Sequence, residues 1–417
     1  MRFTYFVSIG LCLPLLACQG DDTGDSETAG ASSSSSDSDD SSTSQTSDSG
    51  TASTGETDSS GTDTATGTST TSGPTTAPTS DTSAGTTDGT TDGTTGSTSS
   101  SSGDPTTTTT TTGGLMDDCL LEDFLNEDTL SLDYDQYSPT IGSHCKGTNH
   151  QEITDIERVV FLGDSVTVGT PPTQGKDYYR SRLADIFVDR FGLEPPSALW
   201  KQVNLIDGVA LQQESGDFAS CSKWGARVDD FFDSKQIADC LPPDLWDKRT
   251  LVVITMGGND LASIVKHGAM GQSFDDSLAE AEAVTDLMRE AVEYIADDDK
   301  FPNGVFVVFA NVYEYTDGTG LVASCEAAGL DNWEDPSQLI DLLSGVNERY
   351  MEIAVDTGTD MIFMQENFCG HGYQADNPNG PCYRGPDQKN FFDLTCIHPT
   401  PNGHELIAEL FTEVVDE

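Results

Sequence analysis

Three short stretches of this chain carry residue types that can do chemistry together. Gly163-Asp164-Ser165 directly follows the apolar run Val159 to Leu162. Thr255-Met256-Gly257-Gly258-Asn259-Asp260 directly follows a second apolar run, Leu251 to Ile254. Far downstream comes Ile397-His398-Pro399-Thr400-Pro401-Asn402-Gly403-His404. A serine hydroxyl is a poor nucleophile at neutral pH. It becomes a good one when a histidine takes its proton and a further group holds that histidine in the right tautomer. Such a pair performs acyl transfer, with Ser165 as nucleophile and His398 as base, then as acid for the leaving group. The familiar Gly-x-Ser-x-Gly elbow does not occur in the globular part, which argues against the commoner lipase fold.

These residues need a scaffold that delivers them to one place. Hydrophobic periodicity predicts a strand at Val159–Leu162 and a helix over Lys176–Phe191 that stops at Gly192. A second strand is expected near Leu199–Ile206, a helix over Ala226–Ile237 and a strand at Leu251–Ile254. A long helix over Ser277–Ile295 and a strand at Val305–Phe309 follow. Pro336–Val355 reads as a helix with Pro near its start, Met361–Met364 as a last short strand, and Asn402–Val415 as the closing helix. Strands alternating with helices imply a doubly wound parallel sheet, in which ligands bind outside the carboxyl ends of strands. Ser165 and Asn259 both follow strands, so both land on that edge, and the loop carrying His398 can return to it.

The set resembles the GDSL/SGNH hydrolase family of serine esterases and lipases, over roughly residues 155 to 417. The matching positions are Ser165, Asn259 and His398, with Gly225 in Lys223-Trp224-Gly225-Ala226-Arg227 as a fourth. Gly208 and Gly216 share that interval, but Cys221 and the pattern Val228-Asp229-Asp230-Phe231 favour Gly225. The resemblance implies a three-layer α/β/α sandwich. It also implies an oxyanion site made of the Ser165 N–H, the Gly225 N–H and the Asn259 side-chain amide, which would stabilise the negative oxygen of a tetrahedral intermediate. Members usually carry an aspartate three residues before the histidine, and here Thr395 stands in that place. Asp393 would start roughly 6–7 Å further along an extended loop. The expected acceptor for His398 Nδ1–H is therefore the Thr395 backbone carbonyl, with Asp393 as the alternative. Asp164 and Asp260 read as braces for their loops and His404 as a helix-surface residue. His371, in a long polar loop, is a candidate for substrate contact. The segments Tyr313–Asp335 and Glu366–Asp393 are expected to wall the pocket.

Residues 1–17 read as a signal peptide: Arg2 precedes a short apolar core, too short to span a membrane. Leu15-Leu16-Ala17-Cys18 resembles a bacterial lipoprotein signal, which implies acylation of Cys18 and a lipid anchor. Gln19 in place of an aspartate points to the outer membrane or cell surface. Residues 18–114 are Ser, Thr, Gly and Asp with almost nothing apolar, so they cannot bury enough surface to offset chain entropy. They read as a disordered tether, leaving 115–417 as the catalytic domain. The formal net charge of −52 argues against nucleic acid and against anionic lipid surfaces. Of ten cysteines, Cys12 leaves with the signal and Cys18 takes lipid. The other eight read as disulfides, with Cys119–Cys145 and Cys221–Cys240 as local pairs and the last four bracing the His398 loop. Ligand spacing for a metal is lacking, and no cofactor is expected. The expected protein is a monomeric, lipid-anchored ester hydrolase acting on a lipid, small acyl or sugar ester. The alternatives are a carbohydrate O-deacetylase on the same site and a catalytically silent binding module.

Overall fold

The computed structural model describes Cys119, residues 124–126, Leu130 and residues 132–417. The signal, Cys18 and the tether lie outside the described residues. β1 (Arg158–Gly163) is buried at every position and leads into α1 (Ser165–Val168). α2 (Tyr179–Phe191) ends at Gly192, which takes the left-handed cap conformation. β2 (Val203–Asn204) and β3 (Val209–Ala210) form a small hairpin, followed by β4 (Glu214–Ser215) and β5 (Phe218–Ser220). Then come α3 (Gln236–Cys240), β6 (Thr250–Thr255), α4 (Gly258–Ala269), α5 (Phe274–Ile295) and β7 (Val305–Ala310). α6 (Pro336–Thr357), β8 (Asp360–Ile362), α7 (Met364–Phe368) and α8 (Pro401–Asp416) complete the chain.

The six-stranded sheet has the order β4-β5-β1-β6-β7-β8. All neighbours are parallel except β4, which runs antiparallel to β5 along the edge. Helices α2 and α8 pack on each other, and α4, α5 and α6 form a second packed group. Covered on both faces, β1 and β6 read as unbroken apolar runs and not as alternations. The architecture is the three-layer α/β/α sandwich. From β1 the chain moves outward to β5 on one side, whereas from β6 it moves to β7 on the other. The topological switch therefore lies between β1 and β6, where such sheets open a crevice. The register from Arg158↔Thr250 to Gly163↔Thr255 brings both strand ends to one level.

Several expected elements shift. The sheet strand is Phe218–Ser220 and not 199–206, because Leu199, Leu205 and Ile206 are exposed around the hairpin while 218–220 is fully buried against β1. The helix expected over Ala226–Ile237 is a 3₁₀ turn, Val228–Phe231, and then α3, broken where Lys235 takes a left-handed φ of 63°. Met364 belongs to α7 and not to the last strand. Helix α4, which begins beside Asn259, was not anticipated.

Candidate active site

Ser165 is the first residue of α1, and its placement starts with Gly163. Gly163 has φ 138°, and a Cβ there would lie 2.1 Å from the Thr255 carbonyl oxygen. Only glycine lets β1 turn this close to β6. Gln236 fixes the turn from the other side. Its amide accepts from Gly163 N–H at 2.9 Å and donates to Gly163 C=O at 3.0 Å. Asp164 caps α1 by accepting from Val166 N–H at 2.8 Å. Beneath the turn, Thr167 Oγ1 meets Thr255 Oγ1 at 2.5 Å and Tyr179 Oη at 2.8 Å. Asp164 and Asp260 are therefore bracing residues, and Asp260 accepts from Val228 N–H at 3.2 Å. Burial raises both carboxyls to about 7, with Asp260 adding to the rise at Asp164.

His398 arrives on the loop before α8, and its Nε2 lies 2.9 Å from Ser165 Oγ. Both residues are buried. Burial lowers the His398 pKa, and the Asp393 carboxylate partly offsets this. A lowered pKa favours the neutral ring, the form that accepts a proton. The loop is closed on itself. Asp393 N–H donates to His398 C=O at 2.8 Å, and Asp393 C=O accepts from Cys396 N–H at 3.0 Å. Cys396 has φ 72° and is bonded to Cys325. Tyr313 Oη donates to Ile397 C=O and Tyr373 Oη to Asp393 C=O, each at 2.7 Å.

The partner of His398 Nδ1 is not the expected Thr395 backbone carbonyl. It is the Thr395 side-chain oxygen, at 2.7 Å. Asp393 Oδ1 in turn receives the Thr395 hydroxyl at 2.5 Å and the Thr395 N–H at 2.8 Å. The expectation failed because it assumed an extended loop, and the tight turn brings Asp393 back towards the ring.

Asn259 lines the same cavity as Ser165 and His398. Its Nδ2 donates to Ala226 C=O at 2.9 Å, which leaves the second N–H of the amide available. That bond ties Asn259 to the Gly225 turn. Gly225 has φ 73° and does not itself line the cavity. The neighbouring Trp224 donates from Nε1 to Gly169 C=O at 2.9 Å, joining this turn to the end of α1.

The cavity measures about 130 Å³ and is mostly apolar. Besides Ser165 and His398, its lining includes Met256, Leu261, Val265, Leu339 and Leu343. Of the two expected wall segments, 313–335 contributes Tyr313, Glu314, Tyr315, Thr316, Val322 and Leu330. The segment 366–393 contributes no lining residue; its Phe368 and Phe392 pack behind Tyr313 instead. His404 is fully buried and not on the surface. It accepts from Tyr179 N–H at 3.3 Å, stacks on Tyr179, and is driven down to about 3 by burial. His371 stacks on Phe391, away from the cavity. Gln236 and the Thr395 hydroxyl are the site-forming groups that sequence reasoning missed. Gln236 follows a helix break, and nothing in a lone glutamine announces a buried clamp. All eight remaining cysteines pair, as Cys119–Cys145, Cys221–Cys240, Cys325–Cys396 and Cys369–Cys382. Among the described residues there is no cluster suited to a metal ion.

A family model for GDSL-like lipase/acylhydrolase matches residues 159–411. No curated protein matches the chain. Among solved structures, a gut microbial diltiazem-metabolizing enzyme is 15% identical with a TM-score of 0.40, over 64% of this chain and 49% of that one. The chain thus spans about half of that enzyme's length. An acetyl xylan esterase is 16% identical, TM-score 0.36, over 62% of this chain and 99% of that one. A psychrotrophic esterase from Pseudoalteromonas sp. is 12% identical, TM-score 0.32, over 62% and 97%.

Proposed function

The chain belongs to the GDSL-like lipase/acylhydrolase family, and on that footing we propose that it hydrolyses carboxylic esters of apolar acyl groups through an acyl-enzyme on Ser165. The observation that carries this reading is the Ser165 Oγ–His398 Nε2 hydrogen bond opening onto an apolar cavity. Ser165 Oγ attacks the ester carbonyl carbon as its proton passes to His398 Nε2. The oxyanion is met by the Ser165 N–H and the free N–H of Asn259, with Gly225 holding the turn to which Asn259 is tied. Collapse breaks the C–O bond to the alcohol, which leaves with the proton from His398. Water then attacks the acyl-enzyme, giving its proton to His398. The carboxylic acid departs, and Ser165 regains its hydrogen.

The cavity bears on substrate class. An apolar cavity of about 150 Å³ accommodates one benzene ring, so a cavity of this size takes an acyl tail of roughly five or six carbons. Its polar lining residues present little surface to a sugar, which disfavours the O-deacetylase reading. A p-nitrophenyl ester series from acetate to palmitate tests this. The expected kcat/KM rises about 10–100-fold from acetate to hexanoate, at a fraction of the 1–3 kcal/mol available per methylene, and falls beyond. A maximum at acetate overturns the acyl-tail reading. Failure of a fluorophosphonate to label Ser165 overturns the enzyme reading and favours a silent binding module.

Outside the described residues, Cys18 and the acidic tether support action at the cell envelope on a lipid anchor. Incorporation of labelled palmitate that is abolished by Cys18→Ala is the expected result. Equal labelling of the variant refutes the anchor.

A further inference from the structure

We infer that the Thr395 hydroxyl is the positioning group for His398, and that it relays the charge of Asp393 to the imidazole ring. The inference rests on the Ser165–His398 reading above. A count of protons supports it. Ser165 must donate to His398 Nε2 for the 2.9 Å contact to be productive, so a neutral ring carries its hydrogen on Nδ1. That hydrogen needs an acceptor, and Thr395 Oγ1 is 2.7 Å away. A hydroxyl has one hydrogen, and Asp393 Oδ1, at 2.5 Å, is a carboxylate oxygen that can only accept while ionised. The Thr395 hydrogen therefore points at Asp393, and its lone pairs point at His398. Every donor finds one acceptor, in a single direction, from Ser165 to Asp393.

The same arrangement suits the charged state. When His398 takes the serine proton, it still has an acceptor at Nδ1, and a carboxylate stands one hydroxyl further out. Bonds in such a chain polarise one another. Asp393 also holds Thr395 through its backbone N–H at 2.8 Å, so the hydroxyl is fixed at both ends. Were the hydroxyl reversed, donating to Nδ1, the ring would carry its hydrogen on Nε2 and could not receive one from Ser165. The direction of a single O–H thus decides whether His398 is a base.

The test uses the full chain. Thr395→Val keeps the shape and removes the hydroxyl. Loss of the correct tautomer in a direct triad costs about 10⁴ in kcat, and a hydroxyl relay is expected to account for about 10²–10³ of such a factor, with KM within about threefold. Thr395→Ser recovers most of the lost rate, which a purely packing role for the γ-methyl would not produce. Asp393→Asn keeps an acceptor but removes the charge, and costs about tenfold to a hundredfold. Thr395→Ala serves if the valine variant does not fold. Independently of turnover, ¹⁵N-histidine NMR of the wild type at neutral pH is expected to show His398 protonated on Nδ1. The inference is overturned if Thr395→Val retains kcat within about twofold while Ser165→Ala is inactive, or if resting His398 carries its proton on Nε2. Ester hydrolysis that survives Ser165→Ala instead removes the enzyme reading beneath it, and the tautomer measurement still decides the role of Thr395.

Discussion

Ser165 and His398 reach the same point by opposite means. Ser165 sits at the end of a strand paired on both sides and is backed by the sheet, with Thr167, Thr255, Tyr179 and Gln236 beneath it. His398 sits on a loop outside the sheet, closed by one antiparallel bridge between Phe392 and Pro399. That loop owes its shape to a disulfide, a left-handed cysteine and two tyrosine hydroxyls that reach its carbonyls. The nucleophile is held by many weak, redundant terms, and the base by a few specific ones. Redundant support tolerates the loss of one member; specific support does not.

The largest expected effect lies on the serine side. Ser165→Ala should lower ester hydrolysis by about 10⁴ or more with the fold intact, measured as kcat on the best p-nitrophenyl ester beside a circular dichroism spectrum. A tenth of the activity remaining would remove Ser165 from the chemistry. Asn259→Ala should cost about 10²–10³ in kcat through a lost oxyanion donor.

The two disulfides near the site put the comparison itself at risk. Cys325→Ser/Cys396→Ser frees the His398 loop, and displacements on the order of 1 Å cost up to 10²-fold. About tenfold in kcat is expected. Cys221→Ser/Cys240→Ser loosens α3, which carries Gln236, but the parallel pairing of β1 remains. Less than about threefold in kcat is expected, with the main loss in thermal stability. Equal losses of kcat in the two variants would erase the distinction.

The smallest effect is on stability and pH. Burial lifts Asp164, Asp260 and Asp317 to about 7 in the folded protein. Between about pH 4 and 7 the folded chain thus holds protons that the unfolded chain has released, and stability falls as pH rises through that window. His404, driven down to about 3, acts in the opposite sense below its ordinary pKa near 6.5. Thermal unfolding should therefore be a few degrees higher at pH 6 than at pH 8. A higher midpoint at pH 8 would contradict the raised carboxyls.

The same contrast explains what could be read from sequence. Val159–Leu162 and Leu251–Ile254 announce themselves because buried parallel strands are apolar runs, and the residue after each is then placed by topology. Ser165 and Asn259 followed from that. The His398 loop has no period to read. Its geometry depends on Cys325, far off in sequence, and on a turn at Cys396 that brings Asp393 back to Thr395. An extended-chain estimate of distance fails at such a turn. His404 was misread for a related reason: on α8 it occupies the face packed on α2, and a histidine among Gly403, Glu405 and Leu406 gives no sign of that.

The span of the Cys325–Cys396 bond sets an order of assembly. It joins residues 71 apart, against 19 for Cys221–Cys240. Loop closure becomes rarer with length as about the −3/2 power, so the longer ring closes roughly sevenfold less often per encounter. The ring beside the Gln236 helix thus closes more readily than the ring that holds the histidine loop. A newly made chain with its short ring closed and its long ring open is a folded body whose histidine still wanders, and it works at about a tenth of its full rate until Cys325 meets Cys396.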